Sequence, residues 1–132
     1  MSQTPTIASS IRVAIVFASI AAHAAANADT TTPPSGDAHR GATVYQICTA
    51  CHSLDEDDVG PRHRGVVGRA AAAVSGYAYS PALRSSGLVW SPENLDRWLT
   101  NPQALVPGSK MFFTMQSAQD RADVIAYLSE QR

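Results

Sequence analysis

The sequence predicts an all-α fold of three to five short helices wrapped around one large apolar centre, and three observations predict it. The 132-residue chain is 45% hydrophobic and rich in Ala, with no run of alternating β-branched residues to favour strands. Helix caps open three segments, at Asp37, at Ser91-Pro92 and at Ser117. Between the first two caps lies Cys48-Thr49-Ala50-Cys51-His52, a C-x-x-C-H run that reads as a covalent attachment site for c-type haem.

The first 28 residues read as a cleavable secretory signal peptide. Arg12 is the sole charge before Asp29, and Val13 to Ala22 form a short apolar core. Ala26-Asn27-Ala28 fits a small-x-small cleavage pattern, with Ala22-His23-Ala24 as a second candidate. The apolar run falls short of the ~20 residues a membrane span needs, so no stable insertion is expected once the signal is cleaved. Cleavage after Ala28 leaves residues 29–132 with nine basic and eleven acidic residues, a formal charge of −2. With no basic stripe, nucleic acid is excluded as a partner. A chain this short buries a modest core and gains from a cofactor at its centre.

Residues 29–35 form a polar, proline-bearing linker, and 36–132 form one domain. Asp37 caps a helix whose face carries Gly41, Val44, Tyr45 and Cys48 at i, i+3, i+4 and i+7, which delivers the cysteines on one helical turn. Each sulfur can add across one haem vinyl group, and His52 then offers its imidazole to the iron. Other readings of the motif fail. A thioredoxin-like pair sits beside a βαβ pattern, which is missing here. A zinc site needs four ligands, yet the chain has two cysteines, and His39 and His63 sit at no usual zinc spacing.

Asp55 to Asp58 make a solvated acidic loop; a calcium loop would need Glu where Val66 stands. From Gly60-Pro61 to Gly76 the chain is irregular, with turns suited to a flat object, and Ala70 to Ala73 are expected as a brief helix. Tyr77 and Tyr79, beside Ser80, place hydroxyls where a buried anion could be met. Ser91-Pro92-Glu93 starts a helix with Leu95, Trp98 and Leu99 on its apolar face, ended or bent at Asn101-Pro102. Pro107-Gly108 turns the chain before Met111. The last helix starts at Ser117 and buries Val124, Ile125 and Leu128, with Tyr127 alongside. Spacing leaves Met111, Met115, His39 and His63 open as the second axial ligand. Met111 is favoured because its loop can pass over a haem face.

Together these motifs resemble a class I cytochrome c of the mitochondrial and bacterial short-loop kind, over residues 36–132. The resemblance rests on Gly41 and Tyr45, the C-x-x-C-H run, Gly60-Pro61, Gly65-Val66-Val67-Gly68-Arg69, Gly76-Tyr77-Ala78-Tyr79, Trp90, Asn101-Pro102, Val106 to Met111, and Ile125 to Leu128. It implies one covalent haem c with His52 and Met111 as iron ligands. It implies that the Pro61 carbonyl accepts Nδ1–H of His52. Tyr79, Trp90 and Arg69 would donate to one haem propionate, and Ser80 and Ser109 would serve the other. Gly41 would let the first helix cross the last near Tyr127.

Three departures mark this chain. Trp98 stands where mitochondrial members carry a tyrosine that bonds the methionine sulfur. The loop at Asp55 to Val59 is shorter, and Lys110 is the only lysine, so the usual lysine ring is missing. The resemblance implies a soluble, periplasmic, monomeric one-electron carrier of a respiratory or photosynthetic-type chain, not an enzyme. Its partners would be membrane or periplasmic electron donors and acceptors, met at a haem edge near Ile47, Ala50, Lys110 and Phe112. A haem subunit of a periplasmic dehydrogenase or oxidase complex is the alternative. A ligand-binding or peroxidase-like protein is a third reading, for which the sequence offers no motif with a distal His or Arg.

Overall fold

Capping chemistry fixes where the helices begin. The computed structural model describes Met1 and residues 33–132. The expected signal peptide and most of the expected linker lie outside the described residues. Helix α1, Ala38–Val44, starts where Asp37 accepts from the backbone N–H groups of His39 and Arg40. Helix α2, Pro81–Arg84, is capped by Ser80, and α3, Pro92–Thr100, by Ser91. Asn101 both ends α3 and caps α4, Pro102–Leu105. Helix α5, Ala118–Glu130, starts at Ser117. Proline at the first position of α2, α3 and α4 costs nothing, because that N–H has no partner within a helix. Among the described residues there is no strand, only an isolated antiparallel bridge between Ala70 and Val89. The all-α expectation holds.

Two local expectations need correction. The first helix does not run as α-helix through the cysteines; Tyr45–Ala50 is a 3₁₀ turn. Its tighter winding, three residues per turn, brings positions i and i+3 into line, which suits Cys48 and Cys51 better than α geometry does. The Ala70 to Ala73 run forms no helix. Ala70 pairs with Val89, Ala71 N–H donates to the Leu88 carbonyl, and Ala72 takes φ +59°. Those contacts outweigh alanine's helix preference, at the cost of a left-handed backbone on a residue with a Cβ.

Helices α1 and α5 cross at very close range. A Cβ on Gly41 would collide with the Asp123 carbonyl and stand 2.8 Å from Cβ of Tyr127. Removing that one carbon is what allows the two backbones to meet, as the crossing expected near Tyr127 requires. Asp123, fully buried, locks the crossing. It accepts from the backbone N–H of Asp37 at 2.7 Å, from Gln119 Nε2 at 2.8 Å, and from the Arg40 guanidinium. Tyr45, Leu95, Leu99, Val124, Ile125 and Leu128 are buried in the core beneath. Every fully buried side-chain polar atom among the described residues has a partner.

Candidate haem site

A cavity of about 300 Å³ opens into this core. The 3₁₀ turn and the residues after it bring Cys48, Cys51, His52, Gly60 and Pro61 to its lining; α3 and the loop after α4 bring Trp98 and Met111. Cys48 is half-buried and Cys51 exposed, and the two form no disulfide. Burial pushes the Cys48 thiol up to about 11. Backbone bonds from Cys51 N–H and His52 N–H both end on the Cys48 carbonyl, at 3.1 and 2.9 Å, which fixes the step between the sulfurs.

His52 is constrained on all sides. Its Nδ1 lies 2.8 Å from the Pro61 carbonyl, to which it donates. Burial holds the imidazole below its ordinary pKa, more than the Pro61 contact raises it. With Nδ1–H committed to the Pro61 carbonyl, the lone pair lies on Nε2, the arrangement a metal ligand needs. Gly60 lies flat against this ring. The His63 ring stacks on it as well, centroids 4.0 Å apart and planes 22° apart. His63 in turn meets the Tyr45 hydroxyl at 3.2 Å, and burial, with His52 and Arg69 nearby, pushes it down to about 3.

The methionines separate clearly. Met111 lines the cavity, and its Sδ accepts from Trp98 Nε1 at 3.1 Å. Met115 is buried in the core with its N–H on the Leu99 carbonyl at 2.7 Å, and it does not line the cavity. His39 is exposed and also lies outside the lining.

The remaining expected site residues fall into two groups. Pro61, Arg69, Tyr79, Ser80, Trp90 and Trp98 line the cavity. Arg69 donates to the carbonyls of Arg62 and Arg64 at 2.8 and 2.9 Å, which aims its guanidinium. The Tyr79 hydroxyl accepts from Val74 N–H at 3.3 Å, and Ser80 Oγ from Leu83 N–H at 3.1 Å. Trp90 and Trp98 meet edge to face, 5.1 Å between centroids. Ser109 stands apart from the lining. It is buried, with Oγ 2.8 Å from Nε2 of Gln103. Sequence reasoning missed Gln103 altogether and weighed His63 only as a zinc or an iron ligand. Nothing in a lone Gln after Asn-Pro signals a role until the following loop folds over it.

Around the cavity the charges are already engaged. Asp57 accepts from Arg62 Nη1 at 3.1 Å and Asp55 from Arg64 Nη2 at 3.0 Å, while Lys110 Nζ donates to the Ala78 carbonyl at 2.6 Å. Phe112, Val59 and Phe113 line the cavity yet remain exposed, as does Ile47 beside Cys48. The lining as a whole fits a c-type haem. It offers two thiols three residues apart, an unprotonated imidazole nitrogen, a thioether sulfur, and an apolar bed of Val66, Leu83, Leu95, Leu99, Val124 and Leu128.

Comparison with known proteins points the same way. A family profile described as Cytochrome c matches residues 38–132, the stretch that contains the whole cavity. The cytochrome c2 of Rhodomicrobium vannielii is 41% identical over 125 residues, covering 92% of this chain and 95% of that protein. The cytochrome c-type cyt cy of Rhodobacter capsulatus is 47% identical over 98 residues, but these are 72% of this chain and only 49% of that longer protein. Among solved structures, cytochrome cH from Methylobacterium extorquens superposes with a TM-score of 0.69 at 43% identity, covering 71% of this chain and 98% of that one.

Proposed function

Because the chain belongs to the cytochrome c family and carries covalent haem c, we propose that it works as an exported one-electron carrier whose iron is held by His52 and Met111. One observation carries the reading: a His52 ring fixed by Pro61 and a Met111 sulfur fixed by Trp98 line the same cavity. When bound, the haem supplies a one-electron ferric/ferrous couple.

The chain's own residues do the rest. Cys48 and Cys51 hold the group by two thioethers. Pro61 keeps the His52 proton on Nδ1 and so keeps Nε2 basic. The Trp98 N–H draws density from the Met111 sulfur and so favours the reduced state. Arg69, Tyr79 and Trp90 would partner one propionate and Ser80 the other, with Ser109 set back from the cavity against Gln103, so that buried negative charge would not be left unpaired. His52 and Met111 would together hold the iron and leave it no open position for a substrate, which supports a carrier over an enzyme. The apolar bed excludes water and keeps reorganisation small.

Residues 1–28 are proposed as the export signal and 36–132 as the haem-bearing domain, with a periplasmic destination. No helix among the described residues is long and apolar enough to cross a membrane. A second reading, a haem subunit of a periplasmic complex, is favoured by the exposed Phe112, Phe113, Val59 and Ile47 in a chain with one lysine. Co-purification of a larger redox enzyme at high salt would select it. The carrier reading is tested by potentiometric titration of the exported protein with reduced-minus-oxidised spectra. A single one-electron wave with no binding of cyanide at moderate concentration is expected; ready cyanide binding by the resting protein overturns the ligand assignment.

A further inference from the structure

The loop that bears Met111 has little backbone support. Ser109 N–H bonds the Val106 carbonyl at 3.1 Å and Met115 N–H the Leu99 carbonyl at 2.7 Å. Among the described residues, no backbone–backbone hydrogen bond involves residues 110–114, which lie between these two anchors. Trp98 reaches the Met111 sulfur and Lys110 reaches the Ala78 carbonyl, but the loop backbone itself is held by one side chain. Gln103 Nε2 lies 2.9 Å from the Ser109 carbonyl, 2.8 Å from Ser109 Oγ and 2.9 Å from the Met111 carbonyl, while its Oε1 accepts from Gly108 N–H at 3.2 Å. A carboxamide has two N–H groups, so three acceptors share two protons, and the oxygen adds a fourth contact.

The base of this side chain is rigid. Gln103 follows Pro102, which is fully buried, in a turn capped by Asn101. The same Asn101 ends α3, the helix that carries Trp98. Five residues apart on one bent unit, Trp98 holds the Met111 sulfur and Gln103 holds the Met111 carbonyl. Gln103 thus acts on the position of Met111 through the backbone, without touching the sulfur.

We propose that Gln103 is the positioning residue for the sixth iron ligand, clamping the 108–111 loop and so setting how readily Met111 gives way to an outside ligand. This rests on Met111 being that ligand. Without the clamp, the loop exchanges fixed contacts for contacts with water. Dissociation of the sulfur then becomes easier, while the sulfur's own hydrogen bond from Trp98 is untouched. A carboxylate in place of the carboxamide is worse than no polar group, since it faces the Ser109 and Met111 carbonyls with no proton to give.

The test uses ferric holoprotein as wild type, Gln103→Leu, Gln103→Glu and Met111→Ala. Each is titrated with imidazole and inspected for the methionine–iron charge-transfer absorption. Gln103→Leu should keep that absorption but bind imidazole about tenfold more tightly, the scale of one to two lost hydrogen bonds. Gln103→Glu should shift at least as far. If Met111→Ala leaves the absorption intact, the ligand assignment is wrong. If Met111→Ala abolishes it while both Gln103 variants bind imidazole like wild type, the clamp is overturned and the ligand assignment stands. Should the variants fail to fold, the wild-type ferrous protein decides by NMR. Carboxamide protons of Gln103 that exchange with water much more slowly than a free glutamine's support the clamp; exchange at the free rate overturns it.

Discussion

Gly60 presses its backbone against the face of the His52 imidazole, so that a methyl group at Gly60 would stand 2.5 Å from Nδ1 and closer still to Cε1. The ring is flanked by His63 and tethered at Nδ1 to Pro61, so it cannot swing away without breaking that bond. Gly60→Ala should therefore destabilise the holoprotein by about 1–3 kcal/mol, the usual scale of overpacking. It should also shift the hyperfine-displaced haem resonances of the oxidised form. Chemical denaturation and one-dimensional NMR check both; an Ala variant as stable as wild type, with unshifted resonances, would show that the ring has room to turn.

The two methionines should part company on mutation. Met111→Ala should open the iron to carbon monoxide and lower the midpoint potential, because thioether ligation favours the ferrous state. Met115→Ala should leave spectrum and potential in place and cost about 2–5 kcal/mol of stability as a buried truncation. Spectra under carbon monoxide, with urea melts, separate the outcomes.

Trp98→Phe removes the N–H that reaches the Met111 sulfur but keeps an aromatic ring against Trp90. The sulfur then donates more freely to the oxidised iron, so the midpoint potential should fall. An unchanged or raised potential in the Phe variant would mean that the indole serves packing alone.

Acid should weaken the seam between α1 and α5. Asp123 is held below the usual carboxylate range by the Asp37 N–H first, then by Gln119 and Arg40, against the opposing effect of its burial. A carboxylate depressed in the folded state stabilises the fold above its unfolded pKa of about 3.9, and that stability drains away as pH falls through the lower folded value. Asp123→Asn should therefore be less stable than wild type at pH 7, with the gap narrowing below about pH 4. Denaturant melts at a series of pH values measure the gap; a constant gap would remove the carboxylate charge from the account.

Encounter with a redox partner should depend only weakly on ionic strength. Arg62 and Arg64 are paired with Asp57 and Asp55, Lys110 is turned onto the Ala78 carbonyl, and Ile47 and Phe112 stand exposed. Charges at the surface are screened beyond about 8 Å at physiological salt, so contact through Ile47, Ala50 and Phe112 would carry the association. Stopped-flow transfer with the native partner over a salt series is the check. A steep fall in rate would show that the arginines or Lys110 steer the approach.

Local signals in the sequence are legible because they act locally. Asp37, Ser91 and Ser117 cap the helices they announce, whereas the Pro61 carbonyl at hydrogen-bond distance from His52 is legible only through the family resemblance. What stayed hidden depends on distant partners. Asp123 reads as an ordinary polar helix residue until Arg40 and the Asp37 N–H, more than 80 positions away, arrive to satisfy it. Gln103 is inconspicuous until the 108–111 loop closes over it. Ala72 takes its left-handed backbone only because the flanking residues pair with Leu88 and Val89. The switch from α to 3₁₀ winding before Cys51 lies in boundaries that sequence patterns define poorly.

The crossing of Gly41 over Asp123 also orders events in time. It joins residues near opposite ends of the described chain, so a polypeptide synthesised N-terminus first has residues 48–52 in place long before α5 is made to close the seam. During that interval the attachment motif belongs to an open chain that the last helix has not yet closed over. Arrival of the last thirteen-residue helix is then the step that completes the core around the cavity.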